Sequence, residues 1–141
     1  MTSAAFSYSH PVRIYWEDTD AGGVVFYANY LKFFERARTE WLRALGFGQQ
    51  QMRAEQGLMF VVSDIHVRYM QPAHLDDELA ITVQLAAVSR ATLTLAQAAR
   101  RGPTLLADSR IKLACVEAAT FRPKRLPPSI LDALTSQPGK P

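Results

Sequence analysis

Carboxylates crowd one short stretch of this sequence, Glu17-Asp18-Thr19-Asp20-Ala21-Gly22-Gly23, which runs directly into Val24-Val25-Phe26-Tyr27. An Asp or Glu in such a place can act as a nucleophile or a general base. Gly22 and Gly23 can turn backbone N–H groups toward a ligand, since glycine takes positive φ without penalty. The residues just beyond read as a helix start, where the first N–H groups lack internal partners and carry about half a positive charge. A carboxylate beside fixed donors suits acyl transfer: the acid activates or supplies the nucleophile, and the donors hold the oxygen that becomes negative. Other readings compete. A calcium loop starting at Asp18 would place Gly22 at position five and Asn29 at position twelve, where a bidentate glutamate belongs. An Asp-Thr-Asp phosphoryl-transfer site belongs on a parallel sheet, and the rest of the chain reads antiparallel. In the plainest reading the acids merely cap the turn and the helix.

The elements that must position this loop follow from periodicity. Val12, Ile14 and Trp16 alternate with more polar neighbours, predicting a half-buried strand over 12–17 that ends at the acids. An extended strand would put Asp18 and Asp20 on one side, where like charge raises the pKa of one of them, and Glu17 on the other. From Tyr27 the period becomes helical: Leu31, Phe34, Trp41, Leu42 and Leu45 share a stripe that Lys32, Glu35, Arg36 and Glu40 avoid. With Asn29 as N-cap and Gly46 as stop, the helix has about 17 residues and a length of roughly 25 Å. The second half alternates with period two over 61–70, 79–85, 93–95 and 105–115, broken at Gln71-Pro72-Ala73-His74, Ser89-Arg90 and Arg101-Gly102-Pro103. Connections this short require antiparallel neighbours. The expected class is therefore α+β, one long helix packed on an antiparallel sheet of about five strands. Such a sheet leaves a face or an edge uncovered, and self-association is the expected remedy.

Composition narrows the field further. With 141 residues the chain suits one domain, and 48% hydrophobic with 21% charged residues is ordinary globular composition. The single cysteine, Cys115, excludes an intrachain disulfide and a cysteine-cluster zinc site, and reads as a core residue. The sequence lacks the long apolar run of a spanning helix and a recognisable secretory leader, so the expected setting is cytoplasmic. A net charge of +3 favours anionic ligands in general but falls short of the basic stripe of a nucleic-acid binder. His10, His66 and His74 read as structural or surface residues, and Phe33, Phe34 and Trp41 as core or subunit contacts.

Two longer patterns then carry a resemblance. Tyr15-x-Glu17-Asp18-Thr19-Asp20-x-x-Gly23-Val24-Val25-x-Tyr27 is followed by Tyr30-x-x-Phe33-Phe34-Glu35-Arg36-Ala37-Arg38. Together with Tyr69-x-x-Pro72-Ala73-x-x-x-Asp77 and Pro123-x-x-Leu126-Pro127, they resemble the YbgC-type acyl-CoA thioesterases. These belong to the 4-hydroxybenzoyl-CoA thioesterase-like branch of hotdog-fold proteins. The likeness covers about residues 8–135 of a single hotdog domain, leaving a flexible tail at about 136–141. It implies a five-stranded antiparallel sheet wrapped around one long central helix, assembled as a homodimer or homotetramer with sites at the subunit interface. It implies hydrolysis of an acyl-CoA to free acid and CoA, with Asp20 as nucleophile or general base and the Tyr27 N–H polarising the carbonyl. Many members have histidine at that position; tyrosine resembles the aromatic-CoA branch. No cofactor and no metal are called for. The phosphates of CoA require basic or hydroxyl contacts, for which Arg68, Ser89 and Arg90 are the expected residues. Acyl carrier protein is the alternative carrier. The resemblance also implies an association with cell-envelope maintenance through the Tol-Pal system, so the competing reading is a non-catalytic acyl-carrier or envelope-complex partner. A dehydratase, the other hotdog chemistry weighed, needs a histidine that neither the acidic loop nor the helix supplies.

Overall fold

Five strands and three helices account for most of residues 7–135, which the computed structural model describes; the tail at 136–141 lies outside the described residues. In chain order they are β1 (Ser7–Arg13), α1 (Asn29–Ala44), α2 (Gln49–Gln56), β2 (Leu58–Tyr69), β3 (Glu78–Val88), β4 (Thr92–Arg101), β5 (Thr104–Glu117) and α3 (Pro128–Thr135). The strands form one antiparallel sheet in the order β1-β3-β4-β5-β2, with β1 and β2 at its edges. This is the hotdog arrangement expected from the sequence.

Period-two alternation explains the two faces. Register aligns Ile81 with Ala99, Val83 with Gln97, Leu95 with Ile111 and Leu93 with Leu113. All of these are buried on the face that receives α1. The helix answers with Tyr30, Phe33, Phe34, Ala37, Trp41 and Leu42, a stripe at three- and four-residue spacing that lies across β1, β3 and β4. Burying side chains of this size contributes roughly 1.5–3 kcal/mol each. At 16 residues the helix is about 24 Å long. It stops where Gly46 takes φ +96° and the Phe47 N–H returns to the Leu42 carbonyl at 2.8 Å. Cys115 lies in the same core, where burial pushes its thiol up.

One polar contact crosses this core. Gln97, 2% exposed, donates from Nε2 to the Phe34 carbonyl at 3.0 Å, while its Oε1 accepts from Arg38 at 3.2 Å.

The opposite face of the sheet is polar. It holds a groove of about 600 Å³ whose walls include His66, Arg68, Thr82, Arg100, Asp108 and Arg110. At the free edge, β2 reaches past the helix and leaves Val62, Ile65 and Tyr69 each about 40–50% exposed.

Three expectations need correction. The first strand ends at Arg13 instead of continuing to residue 17: Trp16–Asp18 form a 3₁₀ turn, and Trp16 is 78% exposed. The turn forms because the Asp18 carboxylate accepts the Tyr15 N–H at 2.8 Å, which a continuing strand would forbid. Asn29 is the first helical residue rather than the cap, a place taken by Ala28. Helices α2 and α3 were not anticipated; α2 buries Met52 alone, so it has no apolar period to detect. No helix among the described residues is long and apolar enough to cross a membrane.

Candidate active site

The acidic loop is a tight hairpin built around Asp20. Its N–H donates to the Val24 carbonyl at 2.9 Å, and its carbonyl accepts the Gly23 N–H at 3.0 Å. Gly23 closes the turn at φ +81°, a left-handed conformation that costs a residue with a Cβ about 1–2 kcal/mol. The Asp20 Oδ1 accepts the Gly22 N–H at 2.8 Å and faces the Val24 N–H at 3.5 Å. This fixes the carboxylate on its own loop and leaves Oδ2 without a partner among the described residues, on an exposed side chain.

The hairpin is tied to the helix start. The Asp18 carbonyl accepts both the Phe26 N–H at 3.0 Å and the Asn29 side-chain amide at 2.9 Å. Asn29 is thus a clamp on the loop. Asp18 itself spends its carboxylate on the Tyr15 N–H, so it is a turn-capping residue. Neither the Tyr27 nor the Ala28 N–H has a hydrogen-bond acceptor among the described residues. Both lie where the helix macrodipole is positive.

Aromatic rings surround this helix tip. Tyr69 packs edge-on to Tyr27 at 6.2 Å between centroids and to Tyr30 at 5.4 Å. Its hydroxyl donates to the Tyr27 carbonyl at 2.9 Å. Burial pushes the phenols of Tyr30 and Tyr69 up, so both stay protonated at neutral pH. A pocket of about 250 Å³ opens here, walled by Val25, Tyr27, Tyr30, Tyr69, Met70 and Pro72. Its lining is mostly apolar, as acyl sites require.

This hairpin, helix tip and pocket sit in a chain with clear relatives. Residues 14–134 match the family model described as the thioesterase-like superfamily. The chain is 45% identical over 123 residues to the acyl-CoA thioesterase YbgC of Haemophilus influenzae, covering 87% of this chain and 90% of that one. The chain belongs to the thioesterase-like superfamily, among its YbgC-type members.

Solved thioesterase structures agree. A probable thioesterase from Bartonella henselae superposes with a TM-score of 0.83 at 32% identity, covering 86% of this chain and all of that one. The 1,4-dihydroxy-2-naphthoyl-CoA thioesterase from Synechocystis has a TM-score of 0.86 at 18% identity, covering 94% and 98%, a likeness of fold.

Within this thioesterase-like chain, Asp20 sits on the hairpin that the Asp18 carbonyl ties to Phe26 and Asn29, on either side of Tyr27, while the three residues expected to hold CoA lie elsewhere. Arg68 lies on the polar face of the sheet, opposite α1, where it makes a two-pronged contact with Asp108 at 2.9 and 3.2 Å. Asp108 is held below the usual carboxylate range by that contact. Ser89 and Arg90 occupy the β3–β4 turn, at the opposite end of the sheet from the helix tip. Strand β3 separates that turn from Asp77 by roughly 30 Å. In one chain, therefore, Ser89 and Arg90 cannot join the hairpin.

Sequence reasoning missed Tyr69 and Asn29 as partners of the loop. Tyr69 carried a signal, as a tyrosine closing an otherwise aliphatic strand face; Asn29 carried its signal at the helix start, read as a cap.

Proposed function

We propose that this chain hydrolyses acyl-CoA thioesters to the free acid and CoA. The reading rests on one relationship: a carboxylate pinned through one oxygen precedes a helix tip whose Tyr27 and Ala28 N–H groups have no acceptor among the described residues, beside an apolar pocket. The 45% identity to a named acyl-CoA thioesterase supports it.

In this reading the thioester oxygen lies against the Tyr27 N–H. One preorganised donor of that kind is worth roughly 3–4 kcal/mol in the transition state. The free Oδ2 of Asp20 either attacks the carbonyl carbon, expelling CoA thiolate and leaving a mixed anhydride that water cleaves, or takes a proton from an attacking water. The pocket accepts the acyl group. Its 250 Å³ is the scale of a ring-sized cavity, about 150 Å³ for one that binds benzene.

The assembly in this reading is a homodimer joined at β2. The exposed Val62, Ile65 and Tyr69 of that edge are what a second copy would cover. An antiparallel two-fold pairing of β2 sets the helix-tip end of one copy against the opposite end of the other, bringing the second copy's Ser89–Arg90 turn toward the first copy's pocket. That supplies a further cation for the CoA phosphates. A cytoplasmic setting fits a chain whose only cysteine is a buried free thiol.

Thiol release from a panel of short, long and aromatic acyl-CoAs, with Asp20→Asn as the comparison, tests the proposal. The expected result is turnover of at least one acyl-CoA and a loss of at least about a hundredfold in the variant, with an unchanged melting temperature. No release from any thioester, or an active Asp20→Asn, overturns it. Single turnover in ¹⁸O-water separates the two roles of Asp20, since label enters its carboxylate only if it attacks.

A further inference from the structure

The pocket wall and the acidic hairpin are both anchored at one carboxylate outside the loop, Asp77. Its Oδ2 accepts the His74 N–H at 2.8 Å and Arg101 Nη1 at 2.8 Å, and the His74 ring stands 3.9 Å away. Arg101, from the end of β4, also donates to the Pro72 carbonyl at 3.2 Å. Asp77 therefore ties the whole segment 72–74 to the sheet. Its backbone adds to the tie, since its carbonyl accepts the Ile14 N–H at 2.9 Å.

That segment carries the hairpin. Ala73, fully buried, accepts the Val25 N–H at 2.9 Å, and Val24 bridges to His74. Val24 in turn bonds Asp20 through both its carbonyl and its N–H. Pro72 is itself a wall of the tyrosine pocket. An unbroken run of contacts thus leads from Asp77 through His74 and Val24 to the carboxylate at residue 20, and from Arg101 through Pro72 to the pocket.

We infer that Asp77 and Arg101 form a clasp that positions Asp20 and the pocket wall for the reaction, an assignment that rests on the thioesterase reading above. They are positioning residues; neither touches the reacting atoms. The Asp77 side chain is 22% exposed, shielded enough for geometry to hold, and its contact with Arg101 joins segments 24 residues apart. Besides these partners, the charged or titratable groups that act on this carboxylate are His74 and Tyr30, the latter through α1.

Asp77→Asn keeps an acceptor but removes the charge; Arg101→Lys keeps the charge but on a shorter side chain without the planar head group whose Nη1 donates to both Asp77 and Pro72. Both are measured by hydrogen exchange at the Val25 amide and by kcat and KM. The expected result is Val25 exchange faster by about tenfold and kcat lower by about tenfold, with Arg101→Lys milder than Arg101→Met. A role in stability alone lowers the melting temperature while leaving kcat per folded site where it was, and that outcome overturns the clasp. Unchanged Val25 exchange in both variants overturns it as well. An inactive wild-type protein is a different failure, of the thioesterase reading, and is visible before any variant is made.

Discussion

The Tyr69 hydroxyl donates to the Tyr27 carbonyl at 2.9 Å, joining the last residue of β2 to the turn that opens α1. That bond fixes the peptide following Tyr27 and, through it, the direction of the unpaired N–H groups at the helix tip. Tyr69→Phe retains the ring contacts with Tyr27 and Tyr30 and removes only the donor. A hydrogen bond of this kind is worth about 1 kcal/mol, so thiol-release kcat is expected to fall about fivefold. A wild-type kcat in Tyr69→Phe would mean that the tip needs no such brace.

The two glycines of the hairpin should separate stability from activity. An added Cβ at Gly23 meets nothing within 4 Å but must hold φ +81°, so Gly23→Ala costs about 1–2 kcal/mol of stability. An added Cβ at Gly22 lies 3.3 Å from the Asp20 Oδ1, closer than ordinary contact. Gly22→Ala is therefore expected to leave the melting temperature almost unchanged while lowering kcat about threefold to tenfold, the scale of a small misplacement. Calorimetry and thiol release on the two variants check the contrast.

Acid should loosen the clasp. Burial raises the Asp77 carboxyl, but the His74 amide and Arg101 outweigh it and hold the group below the usual carboxylate range. A carboxylate lowered in the native state contributes stability above its unfolded pKa of about 4, lost as pH falls through the native value. The melting-temperature gap between wild type and Asp77→Asn is thus expected to be full at neutral pH and to close below about pH 4. A gap that stays constant down to pH 2 would show that charge plays no part. Asp108, lowered by Arg68, has the same sign, but Arg68 is so exposed that solvent screens the pair.

The free edge gives a prediction about assembly. Ile65 lies mid-way along β2 at 39% exposure, on the apolar side of the edge. Ile65→Lys places a charge where the proposed second copy packs, and sedimentation is expected to show a shift from dimer to monomer. Activity is expected to fall with it, since the Ser89–Arg90 turn would no longer reach the pocket. A wild-type chain that sediments as a monomer at all concentrations would dismiss the pairing.

Much of the architecture was legible because burial enforces a period. Leu79, Ile81 and Val83 face the core in strict alternation, and Phe34, Trp41 and Leu42 do so at helical spacing. Trp16 misled because its apolar type says nothing of a carboxylate two residues later that captures the Tyr15 amide and turns the chain. The acidic hairpin and the helix start were legible as adjoining because they are near in sequence. The Asp77–Arg101 contact was not, since only the β3–β4 register joins the two. For the same reason Ser89 and Arg90 were plausible phosphate contacts by residue type, while their distance from the helix tip depends on which end of a strand they close.

Gln97 has a consequence for the depth of the helix tip. Leucines and phenylalanines grip a rod laid across a sheet without fixing its place along its own axis, since sliding trades one greasy contact for another. A single amide bolted to the Phe34 carbonyl and to Arg38 ends that freedom, because any advance or retreat of α1 would strand polar atoms in a dry interior. The donors at its front end thus keep a constant height above the pocket floor, set from about two turns of backbone behind them.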